Sequence, residues 1–451
     1  MNFKLTALLL LCSLSAITAQ QKKWTLQECV EYAVEHNLTV EQYELDLQNA
    51  MIDKSDAVGA LLPDANASVS ASGNTGLSFD PTNNQPVTTT IFTATGGVTS
   101  SVTLFDGLRN IHRLNRAKLN AIAQQYRLDD LKDDIRLSVA NAYLQILSNK
   151  ETLIVFQAQY AVTEQDLKRT KELVNAGVVP EGDLLEVEAT AANLEQQIVN
   201  TENQVLISKI NLAQLLQITD YENFDIAEAD YEVPPSDILN KSAKEIFAEA
   251  LTFRNDIEFS RANIDLAVKD LAIAKGAKYP TLGAFFNYNT RYSDQARFNN
   301  ITGVLETQSF GDQLWMNDGI SYGAQLNIPI FNGFSVRNNI KRAQINVQKA
   351  EVQLEQDKLD LETNINQAYV DVKSFAKAYY AAQKTAEARR LAYEYSKERY
   401  DVGLMNAFDY SQAQSRVEDA EAEVVRTKYD YIFRIKVLEF YFGVPLLLNG
   451  S

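Results

Sequence analysis

Two stretches of the chain, residues 108–176 and 334–402, contain neither glycine nor proline, and each is 69 residues long. With no backbone punctuator to end it, each window predicts one unbroken helix, ~100 Å long at 1.5 Å per residue. No compact domain accommodates that length. Apolar or small residues recur through the second window at Ile340, Ala343, Val347, Ala350, Leu354, Leu361, Ile365, Ala368, Val372, Phe375 and Tyr379. The steps are three and four, with one gap at Asp357 and Lys358. The first window repeats the pattern at Leu114, Ala117, Ala121, Leu128, Leu131, Ile135, Ala142 and Ile146. Such a heptad seam predicts packing at coiled-coil angles, and its alanines let neighbouring helices approach closely.

Equal windows also signal an internal repeat. A shift of 226 lays Phe105-Asp106-Gly107 on Phe331-Asn332-Gly333, Arg116-Ala117 on Arg342-Ala343, Gly177 on Gly403 and Asp183 on Asp409. Upstream, a shift of 217 lays Ala60-Leu61-Leu62-Pro63 on Ala277-Lys278-Tyr279-Pro280, so the nine-residue difference falls between Pro280 and Gly333. The chain reads as a first repeat over 20–219, an acidic linker over 220–240 containing Pro234-Pro235, a second repeat over 241–445 and a short tail over 446–451. Thr25-Leu26-Gln27-Glu28 and Ser242-Ala243-Lys244-Glu245 are capping boxes, the first with Trp24 and Cys29 placed as its hydrophobic staple. Each opens a helix expected to run on to Pro63 or Pro280.

Four stretches have period two instead: Asp64 to Phe79, Ile91 to Phe105, Thr281 to Tyr292 and Ile320 to Phe331. They carry β-prone residues with turn residues at their ends, and their length suits a tilted membrane strand of ~9–11 residues in hydrocarbon. The expected order is therefore helix, β-hairpin, very long helix, tight turn, helix, twice. Four strands cannot close a membrane barrel, and open edges are not tolerated in lipid. Two chains would give eight strands, a number whose interior fills with side chains. An open conduit needs at least three chains, with the helices lined up beside one another as a hollow tube. The competing expectation is a soluble, elongated periplasmic coiled-coil scaffold whose strands form a small capping sheet.

Lys4 followed by the apolar run Leu5 to Leu14 and Ala16-Ile17-Thr18-Ala19 reads as a secretory signal peptide over 1–19, too short to span a membrane. Cys12 is a poor lipidation site behind Leu11. A formal charge of −17 gives no basic footprint for nucleic acid. Two histidines and two cysteines leave little for metal or nucleophilic chemistry, and His36 and His112 share no ligand spacing with one another or with cysteine. No enzyme activity, metal or cofactor is expected. The acids Asp129-Asp130 and Asp133-Asp134 alternate with Lys132 and Arg136 as a solvated helix face would.

The run Trp24-Thr25-Leu26-Gln27-Glu28-Cys29-Val30-Glu31-Tyr32-Ala33, the strand entry at Leu62-Pro63 and the turn from Val402-Gly403 to Asp409 resemble the TolC family of outer-membrane efflux channels. The resemblance covers almost the whole chain after residue 19. It implies a homotrimer in the outer membrane of a Gram-negative bacterium, with a lipid-embedded twelve-stranded β-barrel continuous with a twelve-helix periplasmic tunnel. It also implies a periplasmic adaptor and an inner-membrane pump as partners. By that resemblance Gly177, Val178, Gly403 and Leu404 lie at the periplasmic tips where an adaptor docks. Asp409 matches a position where acidic side chains ring the closed end; the family's second acid there falls at Gln412, and Asp183 with Glu186 are the first-repeat counterparts. The spacing of Asp409 to Gln412 and of Asp183 to Glu186 also fits N-cap and N3 residues of a helix.

Overall fold

The fold is that of a computed structural model, which describes residues 22–79, 86–227, 231–234, 236–298, 301 and 303–444. The signal-peptide segment lies outside the described residues. Eight helices fall in two matching sets: α1 (Leu26–His36), α2 (Leu38–Gly59), α3 (Arg109–Asn175) and α4 (Glu181–Leu215), then α5 (Ala243–Phe253), α6 (Asn255–Gly276), α8 (Ser335–Asp401) and α9 (Ala407–Tyr441). A ninth, α7 (Phe310–Met316), belongs to a connection. The lengths run 11, 22, 67 and 35 residues in both sets. Both capping boxes form: the Thr25 and Ser242 hydroxyls accept from the Glu28 and Glu245 amides.

The chain divides into two compact units. One comprises Met1–Leu45, Tyr126–Glu258 and Glu355–Ser451. A hydrophobic core there gathers Cys29, Ala33, Tyr143, Ile146, Leu212 and Ile432, with Trp24 packed against it. Along α8 the seam residues Leu361, Ile365, Ala368 and Val372 are buried while their neighbours face outward. The segment 220–240 does more than link. Its strand β4 (Asp225–Ile226) pairs in parallel with β1 (Lys23–Trp24), Phe224 and Ile226 are buried, and Lys150 holds Asp225 at 2.8 Å.

The helix expected from Thr25 to Pro63 is two helices, because Asn37 is extended at φ −69°, ψ 124°. Its side chain compensates, donating to the Leu215 carbonyl at 3.1 Å and accepting from the Thr39 amide at 2.9 Å. Arg254 makes the same break in the second set at φ −63°, ψ 127°. Neither glycine nor proline marks either break.

The other unit, Asp46–Gln125 with Phe259–Leu354, carries the sheet. Its strands are β2 (Asp64–Phe79), β3 (Pro86–Phe105), β5 (Thr281–Ser293) and β8 (Gly319–Asn327), all antiparallel in that order. Against expectation β3 starts five residues before Ile91, at Pro86, so the first hairpin is taller, and β8 stops at Asn327, leaving Ile328 to Phe331 outside the strand. The connection after β5 is not a plain loop. It holds the ribbon β6 (Arg297–Phe298) with β7 (Leu305–Glu306), and then α7, whose Gln313 bonds back to Ser293.

Directly opposed residues of antiparallel strands share a face. The register aligns Ala67 with Val98, Val98 with Tyr288 and Tyr288 with Ile320 on one face. It aligns Ser68 with Gly97, Gly97 with Asn289 and Asn289 with Gly319 on the other. Following the alternation, the first face adds Val69, Phe286, Tyr322 and Leu326, and the second adds Ser70, Thr95, Asn287 and Ser321. One face is apolar, yet Val69 is 86% and Tyr322 81% exposed. Among the described residues, β2 and β8 each pair on one side only.

Gly107 turns β3 into α3 at φ +71°, and a Cβ there would stand 2.3 Å from the Gly276 carbonyl oxygen. A Cβ on Gly276 would meet the Gly107 carbonyl oxygen at 2.7 Å. Further along α3 and α6, Arg116 pairs with Asp270 at 2.6 Å. Gly276→Ala therefore forces backbone apart, at a cost of about 1–3 kcal/mol. We expect a lower midpoint of thermal unfolding for Gly276→Ala, and no lowering for Gly311→Ala, a helical position where a Cβ meets nothing within 4 Å.

Candidate functional site

The long helices α3 and α8 both end on a glycine in the left-handed region, Gly177 at φ +72° and Gly403 at φ +76°. At the first turn the Gly177 amide reaches the Val174 carbonyl and the Val178 amide the Leu173 carbonyl, both at 2.9 Å. At the second the Gly403 amide reaches Tyr400 and the Leu404 amide Arg399, at 3.0 and 2.8 Å. These paired bonds satisfy the last carbonyls of each helix and need φ above zero at the glycine. Val178 and Leu404, next in the chain, are 67% and 70% exposed. Each turn thus offers a bare apolar side chain on a rigid cap.

The helices that return from these turns begin three residues earlier than their acids would set them. Asn406, not Asp409, is the N-cap of α9, and its side chain accepts from the Asp409 amide at 2.7 Å. Pro180, not Asp183, precedes α4, with no side-chain cap bond. Asp183 and Asp409 are therefore first-turn acids, favoured there by the helix dipole, and the capping role is excluded for both. Asn406, a strong capping residue three before Asp409, was the signal for this.

Asp409 is exposed and Asp183 half-buried. Asp409 and Gln412 line a cavity of about 190 Å³ with Arg389 and Arg416, and the Gln412 carbonyl accepts from Arg416 at 3.0 Å. Gln412 also faces a second cavity, of about 240 Å³, whose opposite wall includes Glu186. The structure so brings Gln412 together with Asp409 on one side and Glu186 on the other. Asp183 lines neither.

Above the turns lies a buried polar seam that sequence periodicity did not reveal. The Tyr410 hydroxyl donates to Asp166 at 2.7 Å and lies 2.8 Å from the Tyr393 hydroxyl. Its ring stacks on Tyr400 with centroids 4.6 Å apart. Gln414 donates to Thr163, and Glu418 follows one turn later, only 2% exposed. Burial pushes the Glu418 carboxyl up from 4.5 to about 7, against a lowering hydrogen bond from Gln414. The spacing of Tyr393 and Tyr400 by seven was the available clue, masked by expecting apolar seam residues.

The acids expected on a solvated face are partly covered instead. Arg254, 9% exposed, pairs with Asp256 at 3.0 Å and approaches Asp130 at 3.6 Å. Burial, with Asp256 nearby, pushes Asp130 up to about 6. Asp133 bonds Arg136 and Asn255. His36 stacks on Tyr32 at 3.9 Å. Cys29 is fully buried, which pushes its thiol up to about 12 and leaves no thiolate for chemistry. Among the described residues no three His, Cys, Asp or Glu side chains converge as a metal site would.

Residues 30–216 and 246–443 match the family described as outer membrane efflux protein. Outer membrane protein TolC of Vibrio cholerae is 23% identical over 68% of this chain and 67% of its own length. TolC of Escherichia coli is 24% identical over 66% of this chain and 58% of its own length, so the match stops well short of that relative's full extent. Outer membrane efflux protein BepC of Brucella suis is 20% identical over 85% and 80%. The fold is similar to the CmeC outer membrane channel of Campylobacter jejuni, with TM-score 0.75, 18% identity and coverage of 93% and 85%. It is also similar to the outer membrane protein VceC of Vibrio cholerae, at 0.76, 16%, and 94% and 97%.

A carboxyl whose folded pKa is raised favours the fold most below its ordinary value and loses that contribution as pH rises through the raised one. For Glu418 the window is 4.5 to about 7. In chelator-treated buffer we expect the unfolding midpoint to fall across that window, and Glu418→Gln to remove part of the fall. An identical pH profile in the variant would show that Glu418 does not titrate there.

Proposed function

This chain belongs to the outer membrane efflux protein family, and from that membership we infer that it is the outer-membrane channel of a tripartite efflux or secretion system. It would act as a passive conduit from periplasm to exterior, with no bond chemistry of its own. The observation that carries this reading is the sheet: among the described residues one face is apolar and mostly bare, the other is polar, and β2 and β8 each pair on one side only. Lipid suits the first face and water the second, and lipid leaves no backbone edge unpaired.

The internal repeat supports a junction between the edges of neighbouring copies. The contact of Gly107 with Gly276 transposes, by shifts of 226 and −217, onto Gly333 and Gly59. The ion pair of Arg116 with Asp270 transposes onto Arg342 and Asp53. Within the chain a Cβ at Gly333 or Gly59 meets nothing within 4 Å, and Arg342 and Asp53 are exposed. Contacts that the chain makes once inside itself are thus prepared a second time for the next copy, a head-to-tail interface that closes as a ring. We propose three copies, giving twelve strands around an open lumen where eight would fill it. The helices would line a twelve-helix tunnel. The exposed Val178 and Leu404 at the glycine caps Gly177 and Gly403 would meet a periplasmic adaptor, and through it an inner-membrane pump.

In such a ring Asp409 would occur three times around the axis, with Gln412, Asp183 and Glu186 nearby, and a ring of carboxylates favours cations. Single-channel recordings of Asp409→Asn should show reduced cation selectivity; an unchanged channel would remove Asp409 from the constriction. The ring itself is tested by Asp53→Cys combined with Arg342→Cys. Oxidation or a short bifunctional thiol reagent should give dimer and trimer bands that neither single variant gives. Absence of those bands would contradict the transposed interface.

A further inference from the structure

The 240 Å³ cavity beyond the turns has a composition that its neighbours lack. It lies between α4 and α9, and no lysine or arginine lines it. From α4 come Glu186, Thr190 and Asn193, on one face at helical spacing; from α9 come Ser411, Ser415 and Glu418. Each of these six residues offers at least one oxygen that can accept a bond, and two of them are carboxylates. Glu418 is 2% exposed, and its Oε1 has no hydrogen-bond partner. Gln197, further along the same wall, also has a buried Oε1 without a partner. An unpartnered buried acceptor has lost its water without replacement, a larger penalty when it is charged. Two in one cavity that holds two carboxylates and neither lysine nor arginine call for something positive.

We propose that this cavity binds a hydrated divalent cation of the magnesium or calcium class, with Glu418 as its anchoring ligand. Hard cations take oxygen ligands, and magnesium in particular is held by one or two carboxylates while keeping several waters. The charge closes, because two carboxylates neutralise one divalent ion. Spacing along α4 settles which groups touch it. Glu186 and Gln197 stand ~16 Å apart along the helix, so one ion cannot hold both directly. Side chains lean toward the helix N-terminus, which aims Glu418 at the middle of the cavity, at the level of Thr190 and Ser415. Those hydroxyls and Asn193 complete the near shell. Glu186 supplies the second charge through water from the end nearer the turns, and Gln197 is reached through water from the other.

The Gln412 carbonyl is engaged by Arg416 and takes no part, which separates this site from the Asp409 cavity. Few charged ligands and a wet shell predict weak binding, with a dissociation constant on the order of 10⁻⁴–10⁻³ M. Binding requires Glu418 as carboxylate, so it releases protons near neutral pH. It would also brace α4 against α9 within a few turns of both glycine caps.

The test uses the full mature chain purified in detergent, stripped with chelator and titrated with magnesium or calcium chloride at fixed ionic strength. We expect a saturable rise of the unfolding midpoint and proton release detectable as a buffer-dependent heat. Glu418→Gln should weaken the cation at least tenfold and abolish the proton release. Glu186→Gln, at a half-exposed position that tolerates change, should weaken it a few-fold; Glu355→Gln, on an exposed face of α8, should not alter it. No saturable shift in the unaltered chain would mean that water alone fills the cavity. A shift kept in full by Glu418→Gln would place the cation elsewhere. Either result overturns the proposal, and neither bears on whether the chain is a channel.

Discussion

Backbone amides and carbonyls along a sheet edge must bond to something, and in hydrocarbon there is no water to take them. The sheet of β2, β3, β5 and β8 has two such edges and an apolar face with Val69 and Tyr322 bare. Among the described residues nothing pairs with either edge, and α7 covers that face only at its Tyr292 end. The same incompleteness recurs in smaller features, in Gly333 and Gly59 with open space around them, and in Arg342 and Asp53 on the surface. Each has a satisfied counterpart in Gly107, Gly276, Arg116 and Asp270. The interface proposed between copies is the transposed form of these internal contacts.

The helical unit follows a different logic, in which length and periodicity are enough. Alanine and branched apolar residues along α3 and α8 let helices of 67 residues pack without a second apolar layer. Where those helices end, left-handed glycines cap them and leave Val178 and Leu404 outward. Just above, burial is polar: Tyr410 with Asp166 and Tyr393, Gln414 with Thr163, then Glu418. Polar groups so placed fix the spacing of neighbouring helices because each bond has one geometry, whereas an apolar seam tolerates sliding.

Much of this was legible in the residues. The Gly- and Pro-free windows gave the long helices, the period-two stretches gave four strands, and seam positions such as Ile365 and Val372 are buried as the pattern implied. The breaks at Asn37 and Arg254 were not legible, since distant partners, the Leu215 carbonyl for Asn37 and Asp130 for Arg254, support an extended residue inside helical sequence. The N-terminus of α9 was misplaced because Asp409 and Asn406 are both good caps three residues apart. The acids Asp130 and Asp133 looked solvated because the residues that meet them, Arg254 and Asn255, lie more than a hundred positions away. The polar seam was hidden for the same reason: Asp166 meets Tyr410 across 244 positions.

The central claim is that this chain cannot complete its sheet alone. The most direct test is the mass of the native particle, purified from outer membranes in mild detergent and corrected for bound detergent. Three copies of the chain per particle is the result this account predicts. A stable particle of one or two copies would contradict it, since four strands leave open edges and eight leave no open lumen.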